Sequence, residues 1–438
     1  LVVGSTANRA DPQADLPARV AGGTGGYELR VVSDLAFGPE QLIASETFQP
    51  WSVRARDLDG DGDKDALWTD SSRHAWADHI YWAENLGGGN FGTKQELVAF
   101  PSAAMDFEFG DVDGDGDADI VAGRHDEKIT WYENLGGGSF GPEQGLLTTG
   151  IDVRDICVAD LETDGDADIF LMLERGSGPP EDRIVWYENL GDGAFGPEQL
   201  IRTTAYRRHD LLVCDLNGDG NRDVLAWSPV RPSDDWAADR IVWFENPGGG
   251  AFGAEQLIMS DWWASTGLTD VHTADLDLDG DLDVLSAEDR GRRIRWMENL
   301  GSGSFEDPMT VTDEVFGKSS IHTCDLDLDG DPEVLSASSE DYEPLVEGPI
   351  AWYENLGGGT FSAQWPLTTV RKAESVHAAD LDADGDADLL YGYEVWEEDD
   401  RAVWRDNQWI DMASLSGTVR GDTEGDGQLD AGEDGLAG

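Results

Sequence analysis

The chain of 438 residues is poor in several things that would narrow its function. Cysteine is nearly absent. Only Cys157, Cys214 and Cys324 occur, each one to three residues before an acidic loop, where a small core residue fits and a disulfide framework does not. Basic residues are scarce, 29 against 91 acids, for a formal charge of −62. Such a surface repels nucleic acid and anionic membranes. No apolar run approaches membrane-spanning length, so no membrane insertion is expected. Helical spacing of apolar residues is missing throughout. There is no Gly-x-Ser-x-Gly, no His-Glu-x-x-His and no phosphate loop. Phe316-Gly317-Lys318-Ser319 fails as a Walker sequence because Thr312 stands where glycine is needed. These absences point away from an enzyme. The chain opens on Leu1 with no visible signal peptide, as a fragment or a processed chain would.

What is present is acid set out with regularity. Asp57, Asp59, Asp61, Asp63 and Asp65 occupy every odd position of a nine-residue loop, with Gly62 at the sixth. Carboxylates this close need a hard cation, and an all-oxygen set of this density suits calcium. The loop recurs six times. The odd positions hold Asp111, Asp113, Asp115, Asp117 and Asp119; then Asp160, Glu162, Asp164, Asp166 and Asp168; then Asp215, Asn217, Asp219, Asn221 and Asp223. They continue as Asp275, Asp277, Asp279, Asp281 and Asp283; Asp325, Asp327, Asp329, Asp331 and Glu333; and Asp380, Asp382, Asp384, Asp386 and Asp388. A period near 50 residues signals a repeat architecture. More than a third of the acids lie in these loops, so much of the charge belongs to sites and the rest to a solvated surface.

Residues 103 to 147 show one repeat in full. Met105 to Gly110 is β-prone and enters the loop, and Ile120-Val121-Ala122 leaves it. Ile129 to Asn134 follows, Gly136-Gly137-Gly138 turns the chain, and Phe140 to Leu147 returns. Four strands in each of seven repeats predict an all-β, seven-bladed β-propeller with four-stranded antiparallel blades. A Trp-x-Glu-Asn phrase begins at Trp82, Trp131, Trp186, Trp243, Trp296 and Trp352, with a weaker copy at Trp404-Arg405-Asp406-Asn407. One ring per blade at a fixed place suits packing between sheets. The phrase Phe-Gly-Pro-Glu-Gln closes two later repeats but also stands alone at Phe37 to Gln41, and the last repeat lacks it. Residues 37–43 are therefore expected to complete the seventh blade, with a local hairpin through Gln408-Trp409-Ile410 as the alternative.

The domain plan is a linker over residues 1–26, the propeller over 27–412, and the truncated start of a further calcium-binding β-domain over 413–438. In that last segment Asp422, Glu424, Asp426, Gln428, Asp430 and, at the twelfth position, Glu433 form a loop of EF type. Arg420-Gly421-Asp422 spells a cell-attachment tripeptide, but Asp422 serves better as the first ligand of this loop.

Loops, strands and spacing together resemble the FG-GAP/VCBS propeller family, to which the integrin α-subunit propellers are related, over about residues 27–412. The resemblance implies calcium bound through the side chains of the first, third, fifth and ninth loop residues and the carbonyl of the seventh. It implies about seven ions, with one more possible in the C-terminal loop. The fourth loop, with Asn217 and Asn221, should bind most weakly. Pro332 and Glu333 put the geometry of the sixth loop in doubt. The tail from Ser416 to Gly438 is similar to the start of the B-type repeats in bacterial surface adhesins.

Weak calcium loops suit an extracellular setting, secreted or attached to a cell surface. The expected function is a calcium-stabilised binding module that recognises protein or glycan on the face opposite the calcium loops, as a monomeric propeller within a larger chain. Candidate contacts there are Trp76, Tyr206, Arg208, Trp236, Trp262, Trp263 and Tyr342, since exposed aromatics and arginine anchor binding. Rings tucked onto the propeller rim are the plain alternative. A polysaccharide lyase or hydrolase, using His74, Tyr206 or Arg208, and a structural spacer are the other functions open. His272, His322 and His377 each stand three residues before a loop. A shared zinc or copper site is conceivable, but Arg54, Glu108, Cys157 and Leu212 at the equivalent places favour ordinary packing.

Overall fold

The structure is a computed structural model. It describes residues 37–408 apart from 48–49, 51, 71–78, 101–103, 125, 175–181, 192, 205–209, 229–238, 262–266, 316, 340–346 and 396–399, and also residues 419–420 and 435–436. Two compact units are separated, Phe37–Gln408 and the pair Leu1–Ala36 with Trp409–Gly438. In the second, Val419–Arg420 pairs with Gly435–Leu436.

Phe37–Gln408 is a ring of seven sheets, each of four antiparallel strands. The second blade runs Ala104–Gly110, Asp119–Arg124, Lys128–Tyr132 and Gln144–Thr148, and pairs in that order. Its acidic loop joins the first strand to the second, as it does in every blade. The second strands are buried on both faces: Asp65–Asp70, Asp119–Arg124, Asp223–Ser228, Asp283–Glu288 and Asp388–Tyr393 have no exposed residue. That is why they read as short continuous apolar runs and not as alternating ones. The outermost strands keep residues such as Leu42, Leu200, Leu257 and Trp365 exposed.

Closure uses the N-terminal segment. Gln41–Thr47 pairs with Asp400–Arg405 as the outer strand of the seventh blade, and Phe37 bridges Asn407. The seventh sheet therefore joins both ends of the ring, and Glu40 accepts hydrogen bonds from the Tyr391 and Tyr393 hydroxyls at 3.1 and 2.9 Å. A bulge recurs at one register of the outer strand, between the partners of Ile80 and Tyr81, Ile129 and Thr130, Ile184 and Val185, and their equivalents. Bulges twist an exposed edge away from the flat shape that pairs with other chains.

The core lies between blades. One cluster joins Leu67, Ile80 and Trp82 to Phe107, Ile120 and Tyr132; another joins Trp68 and Val53 to Leu390 and Trp404 across the closure. The seven phrase tryptophans are all buried. Trp82 packs so closely on Gly138 of the next blade that a Cβ there would collide with the ring, and Trp404 does the same to Gly89 across the closure. The third glycine of the turn is thus set by the neighbour's tryptophan as well as by its positive φ.

Candidate metal centres

Each loop is built by its own short polar side chains. The first carboxylate accepts from the backbone N–H of the sixth residue in all seven loops, at 2.9–3.2 Å, as Asp57 does from Gly62. The fifth accepts from the N–H of the seventh, at 2.8–3.3 Å. The third accepts from the N–H of the fifth in six loops, at 3.0–3.3 Å. Such bonds from Asp or Asn to a backbone two residues on define a tight turn. At the third and fifth positions these bonds engage one oxygen, whereas the first carboxylate of the first four loops accepts through both. Glu162 is the exception. Its longer side chain misses this turn; burial first, and then the Asp168 carboxyl that it meets, push Glu162 up to about 8.

The ninth residue does a second job. In all seven loops its carboxylate accepts from the N–H of the second loop residue at 2.7–3.2 Å, as Asp119 does from Val112. In six its other oxygen accepts, at 2.7–2.8 Å, from the N–H of the asparagine that ends the Trp-x-Glu-Asn phrase or its seventh-blade variant. Glu333 keeps the first of these bonds, at 2.7 Å, because its extra methylene follows Pro332 without displacing the carboxylate. The sixth loop, doubtful from sequence, therefore holds its shape.

That asparagine carries the ring from blade to blade. The Asn134 amide donates to the carbonyls of Ala118 in its own loop and of Leu58 in the preceding one, at 3.2 and 3.0 Å. Asn189 reaches Val112, Asn299 reaches Leu216, Asn355 reaches Leu276 and Asn407 reaches Leu326 in the same way. Asn85 reaches Leu381 across the closure at 2.6 Å. Six of the seven asparagines thus seat a neighbour's loop beside their own turn, Asn246 donating within its own blade to the Arg222 carbonyl, and the seven loops stand on one rim.

The donor set fits a hard cation. Among the described residues, buried carboxylate oxygens without a hydrogen-bond partner occur at Asp275, Asp325 and Asp380 in the first position and at Asp386 in the seventh. Others belong to Glu162 and Glu333. These are loop positions; outside the loops Glu288 keeps one such oxygen, set against Arg295. In Asp57–Asp59–Asp61, Asp111–Asp113–Asp115 and Asp275–Asp277–Asp279, one oxygen from each residue lies within 4.8 Å of the others. Asp325 and Asp327 group with Glu333 on one side, Asp329 and Asp331 on the other. Burial, the largest cause, together with neighbouring carboxylates raises Asp59, Asp113, Asp277 and Asp382 above the ordinary range. Asp327 is pushed to about 6 and Asp386 to about 7 for the same reasons. A divalent ion would remove this repulsion. In the fourth loop Asn217 supplies its amide oxygen to the Asp219 N–H at 3.0 Å, so the turn survives with less charge.

All seven candidate contacts of the opposite face, Trp76, Tyr206, Arg208, Trp236, Trp262, Trp263 and Tyr342, lie outside the described residues, as do His74 and the C-terminal loop from Asp422 to Glu433. The three histidines before the loops do come together: the His322 ring centroid lies 5.5 Å from that of His272 and 4.5 Å from that of His377. The structural work of the ninth carboxylate and of the phrase asparagine was missed from sequence, although the strict repetition of both residues was a signal.

A model of the FG-GAP-like repeat matches residues 57–122, 111–171, 215–286, 275–336 and 325–391, more than half of the chain. No curated protein sequence matches significantly. Among solved structures the chain is similar to BBS1N, crystallised in complex with ARL6DN and soaked with lead. The TM-score is 0.52 and the identity 12%, over 85% of this chain and 97% of that one. It is also similar to puromycin hydrolase, with a TM-score of 0.53 and 13% identity over 83% of this chain and 52% of that one. At these identities the likeness is one of fold.

Proposed function

Because this chain belongs to the FG-GAP-like repeat family, we propose that it is an extracellular, calcium-stabilised binding module that recognises a protein or a glycan on the face opposite its acidic loops. The observation that carries this reading is the gathering of loop carboxylates on one rim, where one oxygen from each of three acids lies within 4.8 Å of the others. Calcium held by the first, third, fifth, seventh and ninth residues of each loop would neutralise these charges and tie the first strand of a blade to its second. FG-GAP-like repeats are typical of extracellular proteins, and among the described residues no helix is long and apolar enough to cross a membrane.

With the loop rim committed to ions, recognition falls to the connections at the other ends of the strands. These include residues 71–78, 229–238 and 340–346 between second and third strands, and 205–209 and 262–266 between blades. Their Trp, Tyr and Arg content supports a contact surface for protein or sugar. The chain acts by binding and not by turnover, as one propeller per chain. A glycan array and a cell-surface pull-down in millimolar calcium test this. Retention that falls in Trp236→Ala and Trp262→Ala, while their melting curves stay unchanged, supports the reading. Retention indifferent to both variants contradicts the assigned face, no retention favours a spacer, and depolymerisation of acidic polysaccharides favours an enzyme.

A further inference from the structure

Beyond the acidic loops, the ring carries a second group of donors at its axis. His272, His322 and His377 lie on the innermost strands of the fifth, sixth and seventh blades, Leu268–Ala274, Lys318–Cys324 and Ala373–Ala379. Each holds the same register, opposite Leu285, Leu335 and Leu390 respectively. Equal register on neighbouring strands sets the three imidazoles at one height. We propose that His272, His322 and His377 form a zinc-class metal site in the central channel, distinct from the acidic loops and bridging three blades.

The spacing of His322 from each of its two neighbours agrees with a shared ion. Zn–N bonds of about 2.0–2.1 Å in tetrahedral geometry put two bound imidazole centroids about 5 Å apart. The observed 4.5 and 5.5 Å on either side of His322 bracket that value. The Ala378 backbone lies beside the His322 ring and favours a hydrogen on it, the place an outer partner takes for a metal-bound histidine. All three are half-buried and so still reach solvent in the channel. Burial keeps them neutral at pH 7, at about 4, about 3 and about 4, which is the ligand form of imidazole.

The rest of the ring at that height does not compete. Arg54 pairs with Glu108, and Cys157 and Leu212 complete the circle. Three nitrogens select a borderline ion such as zinc over calcium, which takes oxygen. Three protein ligands leave a fourth position for water. The ion would fasten the sixth blade to both neighbours beside the sheet that closes the ring.

The test uses the full chain stripped of metal and returned to millimolar calcium. Calorimetric titration with zinc should show one tight site per chain that excess calcium does not displace, and cobalt should give the visible bands of a tetrahedral nitrogen site. Zinc should also raise the melting temperature. His322→Ala should weaken zinc by more than the roughly 10–100-fold that loss of an outer partner costs. His79→Ala, on an outer part of the first blade, should titrate like the parent. No stoichiometric zinc in the parent, or an unchanged titration in His322→Ala, overturns the site. Should His322→Ala fail to fold, zinc-edge X-ray absorption of the parent decides: imidazole scattering supports the assignment, and an oxygen-only shell rejects it.

Discussion

The Asn85 side chain donates to the carbonyl of Leu381, 296 residues further along the chain, at 2.6 Å. This bond repeats across the closure the contact that Asn134 makes to Leu58 between the first two blades. The place where the ring is joined is thus built like the continuous interfaces.

Asn85→Ala should therefore cost as much as Asn134→Ala. Each variant strips a donor from one buried and one part-buried carbonyl, those of Leu381 and Lys64 in the first case and of Leu58 and Ala118 in the second. A buried group left unpaired costs about 1–3 kcal/mol. Both calcium-loaded variants should melt several degrees below the parent by calorimetry. A closure variant that melts like the parent would show that this interface bears no load.

The ninth loop residue should separate from the others when no metal is present. At about pH 5, below the value of about 7 for folded Asp119, Asp119→Asn turns an amide NH2 toward one of two buried N–H groups, Val112 or Asn134, at about 1–3 kcal/mol. Asp115→Asn keeps the single oxygen that the Asp117 N–H needs and removes a charge that repels Asp113, so its metal-free stability should match or exceed the parent's. Calcium titration should find both weakened. Equal metal-free melting of the two would refute a structural role for the ninth position.

Acid should change the chain in opposite directions with and without calcium. Burial pushes Asp65, Asp119, Asp283 and Asp388 to about 7, Asp223 to about 6 and Glu333 to about 8. A folded-state value above the unfolded one means that the folded chain binds more protons. Metal-free stability is then greatest near pH 4 and is lost as pH rises through about 6 to 8. Calcium needs the ionised ligands, so its stabilising effect should instead shrink as pH falls through that window. Melting curves from about pH 4 to about pH 8 in chelator and in calcium should show opposite slopes; parallel slopes would count against the loops as the titrating groups.

Removing residues 37–47 should open the ring. Asp400–Arg405 becomes an unpaired edge, and the Tyr391 and Tyr393 hydroxyls lose Glu40. Light scattering should find oligomers, and a peptide of residues 37–47 added in trans should restore the monomer. A truncated chain that stays monomeric and melts unchanged would mean that the strand is dispensable.

Much of this architecture was legible in the sequence because the repeat writes it seven times. The alternation of Asp57 to Asp65 gave the loops, the Trp phrase gave the blade count, and the stray Phe37 to Gln41 phrase gave the closure that Gln41–Thr47 makes. Other features depend on which elements become neighbours. The phrase asparagines read as part of a strand, and only the ring places them beneath the preceding loop. The fourth loop position takes a left-handed backbone even at Leu278, Leu328 and Ala383, residues that carry no such signal. The mixed set of Arg54, Glu108, Cys157 and Leu212 argued against a histidine site, whereas three adjacent strands suffice to gather His272, His322 and His377.

Thermal unfolding of one preparation in chelator and in millimolar calcium tests the central claim, that acidic loops hold the ring through bound ions. With dissociation constants of about 10⁻⁴–10⁻³ M, seven sites should together add on the order of 3–10 kcal/mol. The account predicts a melting transition many degrees higher in calcium, with about seven ions bound per chain. Superimposable curves from protein verified to be metal-free would contradict it.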